Sequence, residues 1–146
     1  MEIDLIRNGP RQSRRARKPR GVSGASTDLI RYWVAQVLSI PSAWRKGWCR
    51  HEQRFEHDDL LELLKFAPTR EGKLRRPPKA LAGIIGAQPL ADLLAEDDIY
   101  RNLCRLGQRL SLTEAELRLL AFSSHMHISG LLYRACELIS DCPPRQ

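Results

Sequence analysis

Apolar positions along the chain recur mostly three and four residues apart, which is the repeat of an amphipathic helix. Leu29, Trp33 and Val37 form the first stripe, and good N-cap residues precede it at 26–28. A broad apolar face of this kind has to be buried against other elements. The chain contains 22 leucines and only 3 valines, a ratio that also favours helices over strands.

Six further segments are predicted to be helical from their apolar spacing and from the capping residues and prolines around them. The clearest stripe comprises Ile99, Leu103, Leu106 and Leu110, at spacings of four, three and four. We expect Leu103 and Leu106 of this stripe to lie in the core. The six segments are 57–67, 79–87, 88–98, 97–110, 113–122 and 129–140.

The start of the segment at 113–122 has the pattern of a capping box. The Thr113 hydroxyl can accept a hydrogen bond from the backbone N–H of Glu116, whose carboxylate can accept one from the backbone N–H of Thr113. Because this arrangement is typical of a first helical turn, we predict that a helix begins there.

These patterns predict an all-α fold, an irregular bundle of five to seven helices over residues 26–140. Residues 1–25 are predicted to be a flexible, disordered basic arm because they combine prolines, glycines and like charges, and 141–146 are predicted to be a tail. The predicted core comprises Leu29, Trp33, Val37, Leu60, Leu64, Leu103, Leu106, Leu117, Leu120, Leu132 and Cys136.

The formal net charge of +7 is concentrated in the arm. Residues 7–20 hold seven basic residues and no acidic one, while the rest of the chain balances at 17 basic and 17 acidic residues. Such a segment can neutralise nucleic-acid phosphates and release their counterions, but it suits an acidic protein surface as well. Its candidate contact residues are Arg7, Arg11, Arg14, Arg15, Arg17, Lys18 and Arg20.

A second cationic segment, within 44–50, interleaves aromatic and basic side chains. Arg45, Lys46 and Arg50 are further candidate contacts for nucleic acid or an acidic partner, and Trp44 and Trp48 are candidate interface residues. Base stacking and protein interfaces both use this composition, so both alternatives stay open.

The composition argues against secreted and membrane-spanning proteins. The N-terminus lacks the apolar run of a secretion signal, and no stretch approaches the roughly 20 apolar residues of a membrane span. The four cysteines contain no Cys-x-x-Cys pair. We therefore expect a cytoplasmic protein that makes no membrane contact. Its cysteines are expected to be reduced.

Residues 67–74 match part of the pattern of a phosphate-binding loop, at Gly72 and Lys73. Ala67 replaces the first glycine, and Leu74 replaces the hydroxyl residue that would bind Mg²⁺. The segment also follows a predicted helix, whereas such a loop follows a strand. We therefore expect a solvated basic loop that binds no nucleotide.

Other candidates for chemistry are equally incomplete. Cys49, His51 and His57 lie within nine residues, but their spacing matches no closed zinc module. His125 could act as a base for the serines at 123–124, yet no glycine-flanked serine elbow is present. No metal, cofactor or catalytic residue is predicted, and we do not expect an enzyme.

A helix-turn-helix is the main alternative for the C-terminal part. Residues 112–122 have the character of its first helix, and the basic arm could add phosphate contacts. A recognition helix should then expose polar or basic residues to the DNA groove. The segment at 129–140 offers only Arg134 and is otherwise mostly apolar, so we expect it to be buried.

Residues 99–139 resemble the segment that precedes the ATPase core in a group of bacterial AAA+ family ATPases. The shared sequence pattern consists of a leucine-rich helix, a capped helix start and a second leucine-rich helix. The matching positions are Asn102, Leu103, Leu106, Leu110, Leu112, Thr113, Glu116, Leu119, Leu120 and Phe122.

The resemblance implies a non-catalytic helical module that contacts a protein partner, a substrate or the remaining ATPase domain. Nucleotide binding in that family belongs to a downstream domain whose motifs are missing from these 146 residues, so no catalytic residue is carried over. The alternative is a small helix-turn-helix protein that binds DNA with the help of its basic arm.

Overall fold

The computed structural model describes residues 24–52, 54–66 and 77–140, and within them the fold is predominantly helical, as predicted. Eight helices and one short β-hairpin account for the regular structure of these residues. Residues 1–23 of the predicted arm, the predicted tail and the loop around Gly72 lie outside the described residues. The boundary of the arm at residue 25 is wrong, because α1 already begins at Gly24. The helices are α1 Gly24–Leu38, α2 Pro41–Lys46, α3 Asp58–Leu63, α4 Ala80–Ala87, α5 Leu90–Glu96, α6 Asp98–Leu110, α7 Glu114–Ile128 and α8 Gly130–Glu137.

Helix α1 is the central helix of the bundle and packs against α4, α5 and α8. Leu29, Val34 and Leu38 are fully buried, and Trp33 is nearly so. An apolar face this wide accounts for the central position, because each side of it needs a covering element. Pro41 does not continue α1 but opens α2, where its missing N–H would have had no partner in any case.

A two-stranded hairpin that the sequence did not predict follows α2. Strand β1 (Trp48–Cys49) pairs antiparallel with β2 (Arg54–Phe55). The Phe55 ring stacks on Trp44 with a centroid separation of 4.6 Å, and it lies so close to Gly47 that a Cβ there would be 2.4 Å from the ring. Tertiary stacking therefore accounts for strands too short to be read from periodicity.

Helices α6 and α7 form an antiparallel hairpin whose turn is capped on both sides. Ser111 ends α6 in the left-handed conformation, with φ 54°. Thr113 and Glu116 form the predicted capping box, with the Thr113 N–H 2.7 Å from the Glu116 carboxylate. This bond lowers the pKa of Glu116 below its usual range. Gly107 allows close packing, since a Cβ there would be 2.6 Å from a Leu117 methyl group.

One buried polar pair joins the two helices of this hairpin where they meet α1. His125 Nε2 of α7 lies 3.0 Å from Asp97 Oδ2, and the two residues are 2% and 3% exposed. The same Asp97 oxygen caps α6 by accepting a hydrogen bond from the Tyr100 N–H at 2.8 Å. The Trp33 ring of α1 lies against His125, with centroids 5.4 Å apart. Three helices thus meet at this pair.

Most of the predicted core is confirmed, but two of its leucines are wrong. The buried members are Leu29, Trp33, Val37, Leu60, Leu64 and Leu132, and the half-buried ones are Leu103, Leu117 and Cys136. Leu106 and Leu120 are instead 49% and 40% exposed. The reason is geometric: α6 and α7 cover each other and one side of the core, and these two leucines lie on the other side of the hairpin.

Replacing Asp97 with alanine should lower the free energy of unfolding by about 3 kcal/mol, because His125 would lose its buried partner and α6 its cap. The exposed neighbour Asp98, which pairs with Arg101 at the surface, provides a matched control. Asp98→Ala should cost less than about 1 kcal/mol. Urea denaturation of both variants checks this, and equal losses would show that the buried pair has no special role.

Candidate interaction surface

Helix α6 presents three different faces to its surroundings. The face with Gly107 packs on α7, and Tyr100 and Leu103 on neighbouring positions pack against the core. A second face carries Leu106 and Leu110, which are 49% and 60% exposed. A third face is basic. A helix that packs only within its own bundle needs to be apolar only on the side that faces the other helices. The exposed leucines therefore require an explanation.

Helical geometry places Leu106 and Leu120 on the same side of the hairpin. Leu106 is nine residues from Asp97, which puts the two on opposite sides of α6, and Asp97 points into the core. Leu120 is two residues from Phe122, whose ring packs edge-on against Trp33 at 5.3 Å, so Leu120 lies on the side of α7 away from the core. Both leucines therefore face outward.

We call the outward leucines Leu106, Leu110 and Leu120 the hairpin outer face. Gly107 and Leu117, which are in contact, lie between them where the two helices meet. An apolar surface formed by adjacent helices, with side chains one turn apart, is the geometry into which an amphipathic helix docks. Scattered single exposed leucines need no explanation, but a cluster on one side of a hairpin indicates contact with a partner.

The arm residues proposed for phosphate or acidic contacts (Arg7 to Arg20) lie outside the described residues. Arg45, Lys46 and Arg50 are all exposed, on α2 and in the turn of the β-hairpin. Two of them donate hydrogen bonds to backbone carbonyls. Arg45 Nε donates to the Pro41 carbonyl at 3.3 Å, and Lys46 Nζ donates to the Ser140 carbonyl at 3.0 Å. Lys46 thus joins α2 to the end of α8.

The prediction that Trp44 lies at an interface is wrong. Trp44 is 1% exposed and stacks on Phe55, so its ring belongs to the core and leaves no surface for a base or a partner. Trp48, four residues later, is half-buried and packs against the core from one side. The two tryptophans therefore do not form the paired aromatic surface that the sequence suggested.

The side chains considered for metal binding or catalysis do not assemble into a site. Within the described ranges, no group of three histidine, cysteine or acidic side chains is placed to hold a metal ion. His125 is engaged with Asp97 in the core, where a substrate has no access. The Ser124 hydroxyl donates to the Leu120 carbonyl at 2.8 Å, within its own helix. The partial phosphate-loop pattern at 67–74 lies outside the described residues.

Helix α8 lacks the exposure of a DNA-recognition helix. Leu132 and Ala135 are fully buried, and Leu138 just beyond the helix is nearly so. Arg134, the only cation of this helix, forms an ion pair with Asp59 in the first turn of α3. The side chains that α8 could offer to a groove are thus largely occupied in packing, as the apolar pattern predicted.

Sequence reasoning identified Leu103, Leu106 and Leu110 correctly as one apolar stripe. It assigned Leu103 and Leu106 to the core, where Leu103 packs and Leu106 does not. One signal was available: Arg101, Arg105 and Arg109 follow at intervals of four, so the stripe is flanked by cations. A flank of this type is characteristic of a helix that pairs with another charged helix.

Comparison with known proteins adds no assignment to this geometry. No protein family model, no curated protein and no solved structure matches the chain. None of the described helices combines the length and the hydropathy required to cross a bilayer.

Proposed function

We propose that the chain is a non-catalytic helical interaction module that binds a protein partner through the hairpin outer face. The observation that carries this proposal is the exposure of Leu106 and Leu110 on a helix whose opposite side is anchored by a buried polar pair. Full burial of an exposed leucine contributes about 1.5–3 kcal/mol, so a partner that covers these two half-exposed side chains would gain roughly half of that from each. No described cluster of side chains offers a comparable case for catalysis.

We further propose that this module is the N-terminal, partner- or substrate-contacting region of a bacterial AAA+ ATPase in the cytoplasm. The resemblance of residues 99–139 supports this, since they form the α6–α7 hairpin and α8. The free thiols of Cys49, Cys104 and Cys136 are compatible with a reducing compartment. On this proposal, hydrolysis belongs to a separate domain and the helices position that domain on its target.

The alternative, a small DNA-binding protein that uses the basic arm, is supported by the seven cations of residues 7–20. Its helix-turn-helix component is less well supported, because the one cation of α8, Arg134, is paired with Asp59 and the helix offers no other basic side chain to a groove. An arm-driven contact would be salt-sensitive and independent of the hairpin outer face, which separates the two proposals experimentally.

A photo-crosslinking amino acid placed at Leu106 should form discrete adducts with a partner protein in cells that express the full chain. The same amino acid at Tyr133, which is exposed on α8, is the matched control and should give none. Leu110→Gln should abolish the Leu106 adducts and change stability by less than about 0.5 kcal/mol, because its side chain is exposed. Adducts of equal yield at both positions would contradict the proposal.

The link to an ATPase predicts that the reading frame continuing beyond Gln146, or an adjacent one, encodes a strand, a glycine-rich phosphate loop with lysine, and a helix. Sequencing the transcript across this point checks the expectation. A stop codon followed by no nucleotide-binding domain would contradict the AAA+ proposal and leave the interaction surface unaffected.

A further inference from the structure

The exposed leucines of α6 are bordered by a row of arginines on successive turns. Arg101, Arg105 and Arg109 are spaced by four residues, so they lie along one side of the helix, and all three are exposed. Arg109 lies about 60° around the helix from Leu106. The apolar stripe and the basic stripe are therefore neighbours along the same 13-residue helix.

Of the nine arginines that the structure describes, six form a hydrogen bond or an ion pair, and Arg50, Arg105 and Arg109 do not. Within the part of the chain that the structure describes, Arg54, Arg101, Arg118 and Arg134 form ion pairs. Arg31 donates to the Leu64 carbonyl, and Arg45 to that of Pro41. Arg105 and Arg109 make no hydrogen bond or ion pair with any described residue. Two of the three arginines without a partner among the described residues therefore lie beside the exposed leucines of α6.

We propose that the hairpin outer face binds an amphipathic helix of a partner protein whose apolar stripe is flanked by acidic residues that pair with Arg105 and Arg109. This inference rests on the proposed function and specifies its partner. The leucines one turn apart would bury the apolar stripe, and the arginines one turn apart would meet Asp or Glu at the same interval. The apolar stripe provides affinity, and the charged flank selects the partner and its orientation.

A second copy of the chain is a poorer match for this surface. If two α6 helices paired antiparallel about a two-fold axis, the basic flank of one molecule would face the basic flank of the other. Arg105 and Arg109 would then meet the same arginines of the other molecule, and like charges in such positions oppose association. An acidic flank on a different protein removes this repulsion and replaces it with attraction.

The test uses three synthetic helices of about 20 residues with the same leucine stripe and a flank of Glu, Gln or Lys. Binding to the full chain is measured by fluorescence anisotropy. We expect the Glu peptide to bind about fivefold more tightly than the Gln peptide, and the Lys peptide to bind most weakly. Arg105→Glu/Arg109→Glu should invert this order. Lys65→Glu/Lys79→Glu, which makes the same change in net charge at exposed sites elsewhere, should preserve it.

Equal binding of the three peptides, binding of none, or the same response in both double variants would overturn the inference. So would self-association in sedimentation that Leu106→Gln/Leu110→Gln abolishes, because a second copy would then be the occupant. In each of these cases, adducts at Leu106 in cells would still support the interaction module. Loss of those adducts, with peptide selectivity intact, would count against the proposed function alone.

Discussion

The packing of the Trp33 ring of α1 against the buried Asp97–His125 pair fixes which side of the α6–α7 hairpin faces the core. A single carboxylate oxygen both caps α6 at its first turn and meets the imidazole of α7, and the Trp33 ring of α1 closes over the histidine. A polar pair buried to this extent is costly to break, because either partner left alone would lose its hydrogen bond without regaining water. The hairpin is therefore held in one orientation, and its leucines at 106, 110 and 120 are held outward.

In this orientation, α8 and α6 differ in how much of their apolar surface is buried. Helix α8 supplies Leu132 and Ala135 to the core and ties itself to α3 through Arg134 and Asp59. Helix α6 contacts α7 and α5 and leaves Leu106 and Leu110 of its apolar stripe exposed. A substitution at either exposed leucine should therefore leave the bundle folded.

The fold class and most helix starts could be predicted because they depend on local pattern. The capping box at Thr113 and the stripe of α1 are examples, since each reflects residues three or four apart. The β-hairpin could not be predicted, because Phe55 is placed by its stacking on Trp44 eleven residues earlier. The same contact explains why Trp44 is a core residue and not an interface residue.

The error at Leu106 has a similar origin. Periodicity shows that an apolar stripe exists, but it cannot show whether the chain itself covers that stripe. Whether Leu106 is covered depends on the orientation of α6, which is set at the buried pair of Asp97, nine residues away. The local sequence around Leu106 does not contain that information.

The most direct test of this account is carbene footprinting of the purified, monomeric chain with residue-level mass spectrometry. The account predicts strong labelling of Leu106 and Leu110 and negligible labelling of Leu132, which is fully buried on α8. Protection of Leu106 and Leu110 to the level of Leu132 in the monomer would contradict it, because the chain would then cover its own stripe.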